Sequence, residues 1–370
     1  MTQPQVIQYD RAPAESDVLL EVENLTVEFP TEDGVVKAVR GVSYELRRGE
    51  SLGIVGESGS GKSVTSLAVL GLLPRTARIK GSVRFKGEEL LGKTENEYGS
   101  YRGKSIAMIF QDPLTSLNPV YTIGFQVSEA VLAHNNVSKK AAKDRSIELL
   151  RMVGIPFAEQ RVDSYPHELS GGMRQRVVIA IAMANDPDVM IADEPTTALD
   201  VTVQAQVLEA LEAARAETGA ALVLITHDLG VIAGHADRVL VMYAGKLVEK
   251  GTIDEVFYTP RMPYTLGLLG SLPRLDDTSR ARLTPILGAP PSLLNLPPGC
   301  PFTPRCPMAE SICETDEPDL TVTDSPQHVA ACHFHERLIG AQSTDLFSTT
   351  SVDLEPPAAL LEDPDLEGHE

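Results

Sequence analysis

The segment from Gly56 to Ser63 constrains this 370-residue chain more than any other. Its sequence, GESGSGKS, fits the phosphate-loop pattern G-x-x-x-x-G-K-S/T and lies between a short apolar run and a helix predicted to begin near Lys62. Glycine turns let backbone N–H groups converge on phosphates, the lysine reaches the β- and γ-phosphates, and the hydroxyl binds Mg²⁺. A plain glycine turn would not require the Lys-Ser ending. The loop therefore predicts an ATP site, with contacts from Gly56, Glu57, Ser58, Gly59, Ser60, Gly61, Lys62, Ser63 and Val64.

Two acidic residues, Asp193 and Glu194, follow the apolar run 189–192 and precede the segment PTTALD. In phosphoryl transfer, one carboxylate holds the magnesium shell and another group orients the attacking water. We therefore expect Asp193 to hold Mg²⁺ and Glu194 to orient or deprotonate water. An apolar strand that ends in Asp-Glu is, on its own, more often followed by an ordinary loop, so this interpretation depends on the phosphate loop upstream.

A second glycine turn lies at residues 169–176, with the sequence LSGGMRQR. A Ser-Gly-Gly turn that opens a helix offers backbone donors to an anion. A plain helix start is the alternative for this segment taken alone. Because most phosphate-loop enzymes have no second loop of this kind, the combination narrows the choice of family.

The order of these elements resembles the nucleotide-binding subunit of an ABC transporter over about residues 18–268. The resemblance implies an α/β P-loop NTPase fold and a head-to-tail pair of such subunits. Each ATP would then lie between the phosphate loop of one subunit and the Ser-Gly-Gly signature loop of the other. The signature residues Ser170, Gly171 and Gly172 would accordingly contact ATP bound to the partner.

Four further positions match this family residue by residue. Phe29 lies where the family stacks an aromatic ring on adenine, and Gln111 resembles the glutamine that senses magnesium and contacts the membrane subunit. His227 resembles the switch histidine at the γ-phosphate, and Asp200 the aspartate that links the two sites. A strand core residue is the alternative for Phe29, and without the family Gln111 and His227 would more often have structural roles. The resemblance thus implies catalysis by Lys62, Glu194 and His227, and Mg²⁺ held by Ser63, Gln111 and Asp193.

The chain divides by composition into four predicted parts. The alternating run from Val18 and the apolar runs near 51–55, 189–192 and 221–225 predict an antiparallel β subdomain and a buried parallel sheet. Prolines after about residue 269 exclude long regular elements there. The predicted parts are a disordered N-terminus (1–17), an ABC nucleotide-binding domain (18–268) with a helical subdomain inserted at about 112–185, a loop-rich C-terminal cysteine module (269–337) and an acidic disordered tail (338–370).

The C-terminal module narrows the type of transporter. The segment GCPFTPRC from Gly299 to Cys306 resembles the C-terminal extension of the dipeptide and oligopeptide importer ATPases, as does QDPLTSLNP from Gln111 to Pro119. This group also includes nickel and glutathione importers. The resemblance therefore implies peptide import, and it leaves nickel and glutathione open as cargo.

The cysteines of the chain all lie in this module, with the spacing C-x5-C-x6-C-x18-C. The pattern lacks the paired C-x2-C knuckles typical of structural zinc. Four thiolates can hold a 4Fe-4S cluster, and proline follows two of these cysteines, as it follows the last ligand of bacterial ferredoxins. We therefore favour a 4Fe-4S cluster over Zn²⁺, with free or partly paired thiols as a third possibility. The predicted ligands are Cys300, Cys306, Cys313 and Cys332.

Net charge and hydropathy argue against nucleic acid as a partner and indicate where the protein is located. The formal charge is −20, whereas proteins that bind duplexes show a basic face, so nucleic acid is not an expected partner. No apolar run approaches the roughly 20 residues that span a bilayer, and the N-terminus shows no signal-peptide stretch. These features predict a cytosolic protein that reaches the cytoplasmic face of the membrane only through partners.

The resemblance supplies those partners. It implies two transmembrane permease subunits, an extracytoplasmic substrate-binding protein and a second ABC ATPase, and it favours a heterodimer because this subgroup often pairs two different ATPases. The alternative of a soluble, non-transport ABC ATPase is disfavoured. Such proteins usually carry two cassettes or long coiled coils, whereas this chain has one phosphate loop and no long heptads.

Overall fold

The apolar runs predicted as buried strands form the centre of a large sheet in the computed structural model, which describes residues 17–197, 199–272 and 285–347. Within these residues, one sheet has eight strands in the order β11-β12-β10-β9-β3-β8-β7-β6, and a second has four in the order β2-β1-β4-β5. The described strands are β1 (Val18–Thr31), β2 (Gly34–Arg47), β3 (Ser51–Val55), β4 (Arg78–Phe85), β5 (Glu88–Glu89), β6 (Ile106–Ile109), β7 (Val189–Asp193), β8 (Ala221–Thr226), β9 (Arg238–Tyr243), β10 (Lys246–Thr252), β11 (Thr321–Val322) and β12 (Val329–Ala330).

The helices lie mainly between these strands. The described helices are α1 (Lys62–Val69), α2 (Glu95–Gly99), α3 (Pro113–Ser116), α4 (Ile123–His134), α5 (Lys139–Met152), α6 (Ala158–Arg161), α7 (Gly171–Ala182), α8 (Val201–Thr218), α9 (Leu229–Ala233), α10 (Ile253–Tyr258), α11 (Pro263–Gly270), α12 (Ser311–Thr315) and α13 (Ser343–Phe347). Short 3-10 helices occur at Pro166–Glu168, Thr303–Arg305 and His335–Leu338. Helices α3 to α7 fall within the region predicted to be helical, and Ser138 caps α5 as its sequence indicates.

The larger sheet is parallel at its centre, because β3 pairs with β8 and β9, and β7 pairs with β6 and β8, all in the same direction. Every residue of β3, β7 and β8 is buried. Both faces are therefore covered, which explains why these strands are continuous apolar runs instead of alternating ones. The ends of β3, β7 and β8 bring the sequence motifs to one edge of the sheet.

Two hydrophobic cores lie on the two faces of this sheet. Met190 packs in the first core with the helices, whereas Ile191 packs in the second with the antiparallel sheet. Successive strand residues point to opposite faces, so one strand serves both cores. The hairpin predicted at Glu32–Gly34 is present, with Thr31 paired to Gly34 across the turn between β1 and β2. The predicted α/β fold with an antiparallel β subdomain is thus confirmed.

The C-terminal region adds strands to the large sheet, which the sequence did not predict. Strand β12 pairs antiparallel with β10, through Lys250 with Val329 and Glu249 with Ala330. Beside this pairing the fully buried His328 Nε2 lies 2.8 Å from Glu249 Oε1. Two-residue strands carry no periodicity, so only their tertiary pairing reveals them.

The predicted start of the disordered tail, residue 338, is too early, because residues 338–347 are ordered. Leu338 is buried, and α13 brings Phe347 against the first core near α11. These apolar side chains order the segment 338–347 by packing. Its sequence, LIGAQSTDLF, has a single acidic residue, Asp345, so its composition differs from that of an acidic tail. The rest of that tail, 348–370, lies outside the described residues, as does 1–16 of the predicted disordered N-terminus. Asp17, the last residue of that N-terminal segment, accepts a hydrogen bond from the Arg48 N–H at 2.9 Å.

None of the helices in residues 17–197, 199–272 and 285–347 combines the length and apolar character that crossing a bilayer requires.

Candidate functional site

The phosphate loop connects β3 to α1 in a conformation that only glycine accommodates easily. Gly59 and Gly61 have φ of 79° and 102°, in the left-handed region that side chains disfavour. At Gly61 a Cβ would come within 2.5 Å of the Ala38 carbonyl oxygen. The loop therefore needs glycine at Gly61 for two reasons, backbone conformation and close approach of β2.

The two glycines predict different stability costs. We expect Gly61→Ala to lower the free energy of unfolding by about 3 kcal/mol, from left-handed strain plus overpacking. Gly59→Ala is the matched control, because a Cβ there would meet no heavy atom of the described residues within 4 Å. Its expected cost is about 1 kcal/mol, from strain alone. Urea unfolding of both variants measures the difference, and equal costs would contradict the steric argument.

Lys62 is held in place by the loop that precedes it. Its Nζ donates to the carbonyl oxygens of Gly56 at 2.7 Å and Glu57 at 3.0 Å, and the residue is 4% exposed. Burial lowers the pKa of Lys62, while the carboxylates of Glu194, Asp193 and Glu57 act in the opposite direction. The ammonium group is thus positioned inside the loop that would surround the phosphates.

Ser63 and Asp193, the predicted magnesium ligands, are in direct contact. Ser63 Oγ donates to Asp193 Oδ1 at 2.9 Å. Burial raises the pKa of Asp193, and the hydrogen bond from Ser63 opposes that shift. A hydroxyl and a carboxylate oxygen side by side are the hard oxygen ligands that Mg²⁺ prefers, so the donor set fits this ion.

Glu194 lies at the centre of a polar cluster. Its Oε2 accepts hydrogen bonds from Thr197 Oγ1 at 2.8 Å and Gln111 Nε2 at 3.1 Å. His227 Nδ1 lies 3.4 Å from the same oxygen, on a side chain that is 57% exposed. The structure therefore brings Glu194, Gln111 and His227 together at the strand ends.

Glu194 also has an unusual backbone conformation. Its φ is 47°, in the left-handed region, and its N–H donates to the Ile225 carbonyl of β8 at 2.8 Å. Such a conformation costs a non-glycine residue on the order of 1 kcal/mol and is concentrated at functional sites. The bond to β8 holds the carboxylate beside the residues that follow that strand.

Other predicted contacts lie apart from this cluster. Phe29 is half-buried on β1, in register with Val36. Asp200 caps α8 by accepting from the Val203 N–H at 3.0 Å. These positions are compatible with the predicted roles, which stay predictions.

The signature loop begins α7. Ser170 caps this helix, and its Oγ accepts from the Met173 N–H at 3.3 Å. Ser170 and Gly171 are exposed, whereas Gly172 is buried and a Cβ there would lie 2.3 Å from Val203 Cγ1. Within the described residues, no hydrogen bond joins these three residues to the phosphate loop. Ser170 and Gly171 are thus accessible at the start of α7, whereas Gly172 packs against α8.

Three contacting residues were missed by the sequence analysis. Thr197 donates to Glu194, and the Tyr264 hydroxyl accepts from the Glu57 N–H at 2.8 Å. Arg305, between two cysteines, forms two hydrogen bonds with the Glu57 carboxylate. Thr197 was close enough in sequence to be suspected, whereas Tyr264 and Arg305 lie more than 200 residues from the loop that they contact.

The predicted cysteine ligands share one pocket. Cys300, Cys306, Cys313 and Cys332 all line one small pocket, together with apolar side chains such as Phe302 and Phe334. Burial raises the pKa of Cys306 to about 12 and that of Cys332 to about 11. In the part of the chain that the structure describes, however, no three His, Cys, Asp or Glu side chains are grouped closely enough to hold a metal ion. The structure thus gathers the thiols without forming a single-ion site.

Comparison with protein families gives two matches. The model described as ABC transporter matches residues 39–197, and the model described as oligopeptide/dipeptide transporter, C-terminal region, matches residues 248–313. The dipeptide transport ATP-binding protein DppD of Bacillus subtilis is 52% identical over 321 residues, which cover 86% of this chain and 95% of that protein. The chain belongs to the family of oligopeptide and dipeptide transport ATP-binding proteins. The family predicted from the motifs is therefore confirmed.

Other members of this peptide-transport family match to a similar degree. The oligopeptide transport ATP-binding protein OppD of Salmonella typhimurium is 52% identical, over 87% of this chain and 95% of that protein. OppD of Mycobacterium tuberculosis is 56% identical over 92% of this chain. The chain spans only 56% of the length of that mycobacterial relative.

Solved structures similar to this peptide-transport family member are ABC cassettes. One is a dimeric post-hydrolysis state of an ATP-binding cassette bound to ADP and Pi, with a TM-score of 0.57 and 26% identity. The match covers 64% of this chain and 99% of that one. A cassette of the CbiONQ complex of Clostridium perfringens has a TM-score of 0.56 and 28% identity over 68% of this chain and 95% of that one. The predicted cassette fold is thus confirmed.

Proposed function

We propose that this chain binds and hydrolyses ATP and thereby powers import of dipeptides or oligopeptides through an ABC transporter complex. The observation that carries the proposal is the convergence of three contacts at neighbouring strand ends. Ser63 bonds Asp193, and Glu194 contacts Gln111 and His227. Relatives named as peptide transport ATP-binding proteins, matched over 95% of their length, support the same activity.

The reaction is in-line attack of water on the γ-phosphate, which the protein promotes by positioning and by stabilising charge. Glu194 Oε2 already accepts from Thr197 and Gln111. Within the described residues, Glu194 Oε1 accepts no hydrogen bond and is available to the water. Glu194 orients or deprotonates that water, His227 holds the γ-phosphate, and Lys62 neutralises charge on the leaving phosphates.

Magnesium is the cofactor expected with ATP in this site. Ser63, Asp193 and Gln111 would hold it, since Ser63 Oγ and Asp193 Oδ1 are hard oxygen donors in contact. When bound, Mg²⁺ would supply positive charge that offsets the negative charge of the phosphates. The roles of Phe29 at adenine and of Gly56 to Val64 at the phosphates are part of the same proposal.

A complete site requires a second subunit. The exposed Ser170 and Gly171, with Gly172, would contact ATP bound to a partner cassette, and Asp200 would link the two sites. We favour a heterodimer with a second ABC ATPase. Two permease subunits would hold the pair at the cytoplasmic face of the membrane, and a substrate-binding protein would deliver the cargo.

Reconstitution of the assembled transporter in vesicles tests the proposed function. The ATPase rate is expected to rise when the binding protein and a mixture of dipeptides and longer peptides are added, and labelled peptide is expected to enter the vesicles. Nickel and glutathione are tested separately in the same vesicles. Stimulation by nickel or glutathione alone would replace the peptide assignment, and absence of ATP hydrolysis would overturn the whole proposal.

We also propose that Cys300, Cys306, Cys313 and Cys332 hold a 4Fe-4S cluster, with Zn²⁺ as the alternative. The shared pocket supports a common ligand. The cysteine spacing, which lacks paired C-x2-C knuckles, is the reason to place the cluster before Zn²⁺. A bound cluster would take one thiolate at each iron and tie the loops of the C-terminal module together.

Metal analysis of anaerobically purified protein tests the cysteine proposal. We expect a coloured protein with about four irons per chain, and loss of most iron in Cys306→Ser. The control is Met308→Leu, which changes a neighbouring wall of the same pocket without removing a thiol. A colourless protein with one zinc would support Zn²⁺, and a metal-free protein would leave four free thiols.

A further inference from the structure

A buried arginine of the C-terminal module is bonded directly to the phosphate loop. Arg305 Nη1 donates to Glu57 Oε2 at 2.6 Å, and Nη2 donates to Glu57 Oε1 at 2.8 Å. The Arg305 side chain is 4% exposed and that of Glu57 is 28% exposed. Two parallel bonds from a guanidinium fork to a carboxylate are both strong and geometrically specific. The second residue of the phosphate loop is therefore held by a residue 248 positions away.

The guanidinium group of Arg305 is itself held rigidly. Its Nη1 also donates to the Tyr243 hydroxyl at 3.3 Å, and its Nε donates to the Leu287 carbonyl at 3.2 Å. The rings of Tyr243 and Phe302 lie 5.9 Å and 5.8 Å from its Cζ. Because the Arg305 side chain is enclosed in this way, a shift of the Arg305 backbone would also shift the Glu57 carboxylate.

The backbone N–H, the carbonyl and the carboxylate of Glu57 all form hydrogen bonds. Its N–H donates to the Tyr264 hydroxyl at 2.8 Å, and its carbonyl accepts from Lys62 Nζ at 3.0 Å. Its carboxylate receives both bonds from Arg305. Any movement of Glu57 would therefore displace Lys62, the cation expected at the phosphates.

Arg305 is also connected to the cysteines. It ends the 3-10 helix Thr303–Arg305, between Cys300 and Cys306. Thr303 Oγ1 donates to the Cys313 carbonyl at 2.9 Å, and the Cys300 N–H donates to the same oxygen at 2.8 Å. A change at the cysteines would thus reach Arg305 through short, bonded segments.

We propose that Arg305 is a positioning residue for ATP, through which the cysteine module holds the phosphate loop in its nucleotide-accepting conformation. Arg305 acts through Glu57 and Lys62 and does not touch the nucleotide. The affinity for ATP accordingly depends on how firmly the segment between Cys300 and Cys306 holds Arg305 in place. The proposal rests on the proposed ATP site, but it adds a coupling between that site and a distant module.

Nucleotide affinity of the full chain tests this coupling. We expect Arg305→Gln to weaken binding of a non-hydrolysable ATP analogue about tenfold and to raise KM equally, with kcat within about twofold. Arg305→Lys retains the charge without the fork, so it is expected to recover part of the affinity. Glu57→Gln should match Arg305→Gln, and the double variant should be no weaker than either single variant, because the two residues act as one pair.

Arg337→Gln is the matched control, since it breaks an exposed arginine–glutamate pair with Glu310 in the same module. It should leave affinity unchanged. Unchanged affinity in a folded Arg305→Gln, or additive losses in the double variant, would overturn the coupling. If Arg305→Gln fails to fold, the test rests on Glu57→Gln and Arg305→Lys. Unchanged affinity for the ATP analogue in both of these variants would overturn the proposed coupling. Failure of the unmodified chain to bind the analogue would instead refute the ATP site.

Discussion

Glu194→Gln is expected to lower kcat for ATP hydrolysis about 100-fold or more, while the affinity for ATP changes less than about threefold. Glutamine preserves the shape and keeps one oxygen to accept from Thr197 and Gln111, which both bond Glu194 Oε2. It removes the negative charge and the basic oxygen that would act on water. Binding is retained because Lys62 and Ser63 are unchanged. Single-turnover hydrolysis and equilibrium binding of ATP separate the two effects.

Glu209→Gln provides the control for this variant. Glu209 lies exposed on α8, so removing its charge should change neither hydrolysis nor binding. A normal rate in Glu194→Gln would show that another group acts on the water. An equal fall in both variants would indicate a general effect of lost charge instead.

Lys62→Ala is expected to weaken ATP binding about 100-fold, because it removes the buried ammonium group from the loop and with it the charge-assisted bonds to phosphate. Its Nζ now bonds the carbonyls of Gly56 and Glu57, which lie inside the same loop. Isothermal calorimetry with ATP and Mg²⁺ measures the loss. Hydrolysis at ordinary ATP concentration should fall to background.

Lys86→Ala is the matched lysine variant, since Lys86 is half-exposed and pairs with Asp188 on the surface. Its affinity for ATP should equal that of the unmodified protein, and its stability should change by less than about 1 kcal/mol. Tight ATP binding by folded Lys62→Ala would exclude the phosphate-loop assignment.

The centre of the fold could be predicted because its signals are local. Short apolar runs identified β3, β7 and β8, and the residues at their ends placed Lys62, Asp193 and Glu194 at one sheet edge. The caps of α5 and α7 also follow from their own serines. These elements and caps follow from residues within or beside them, whereas the roles of Asp193 and Glu194 also depend on the phosphate loop upstream.

Contacts between the distant C-terminal module and the phosphate loop could not be predicted in the same way. Arg305 had one available signal, a single cation in the apolar and proline-rich segment GCPFTPRC. Nothing local indicated that its partner is Glu57, because that choice depends on how the module packs. The pairing of β12 with β10 was missed for the same reason, and the order of residues 338–347 comes from burial against distant helices.

The cysteine site was predicted only in part from the sequence. Their spacing predicted a common site, and the structure places all four at one pocket. Spacing does not determine the distances between sulfur atoms, however, because the loops between Cys313 and Cys332 can take many shapes. Spacing therefore predicted the shared pocket, but it could not predict that, among the described residues, no group close enough to hold a single metal ion is formed.

The pairing of β12 with β10 also affects how the chain is made. The edge of β10 is completed only by Val329 and Ala330, about 80 residues later. At a synthesis rate of about 5–20 residues per second, that edge stays unpaired on the ribosome for about 4–16 s. An open strand edge invites pairing with other chains. Nascent chains that stall before Val329 are therefore expected to aggregate more readily than chains that have added β12.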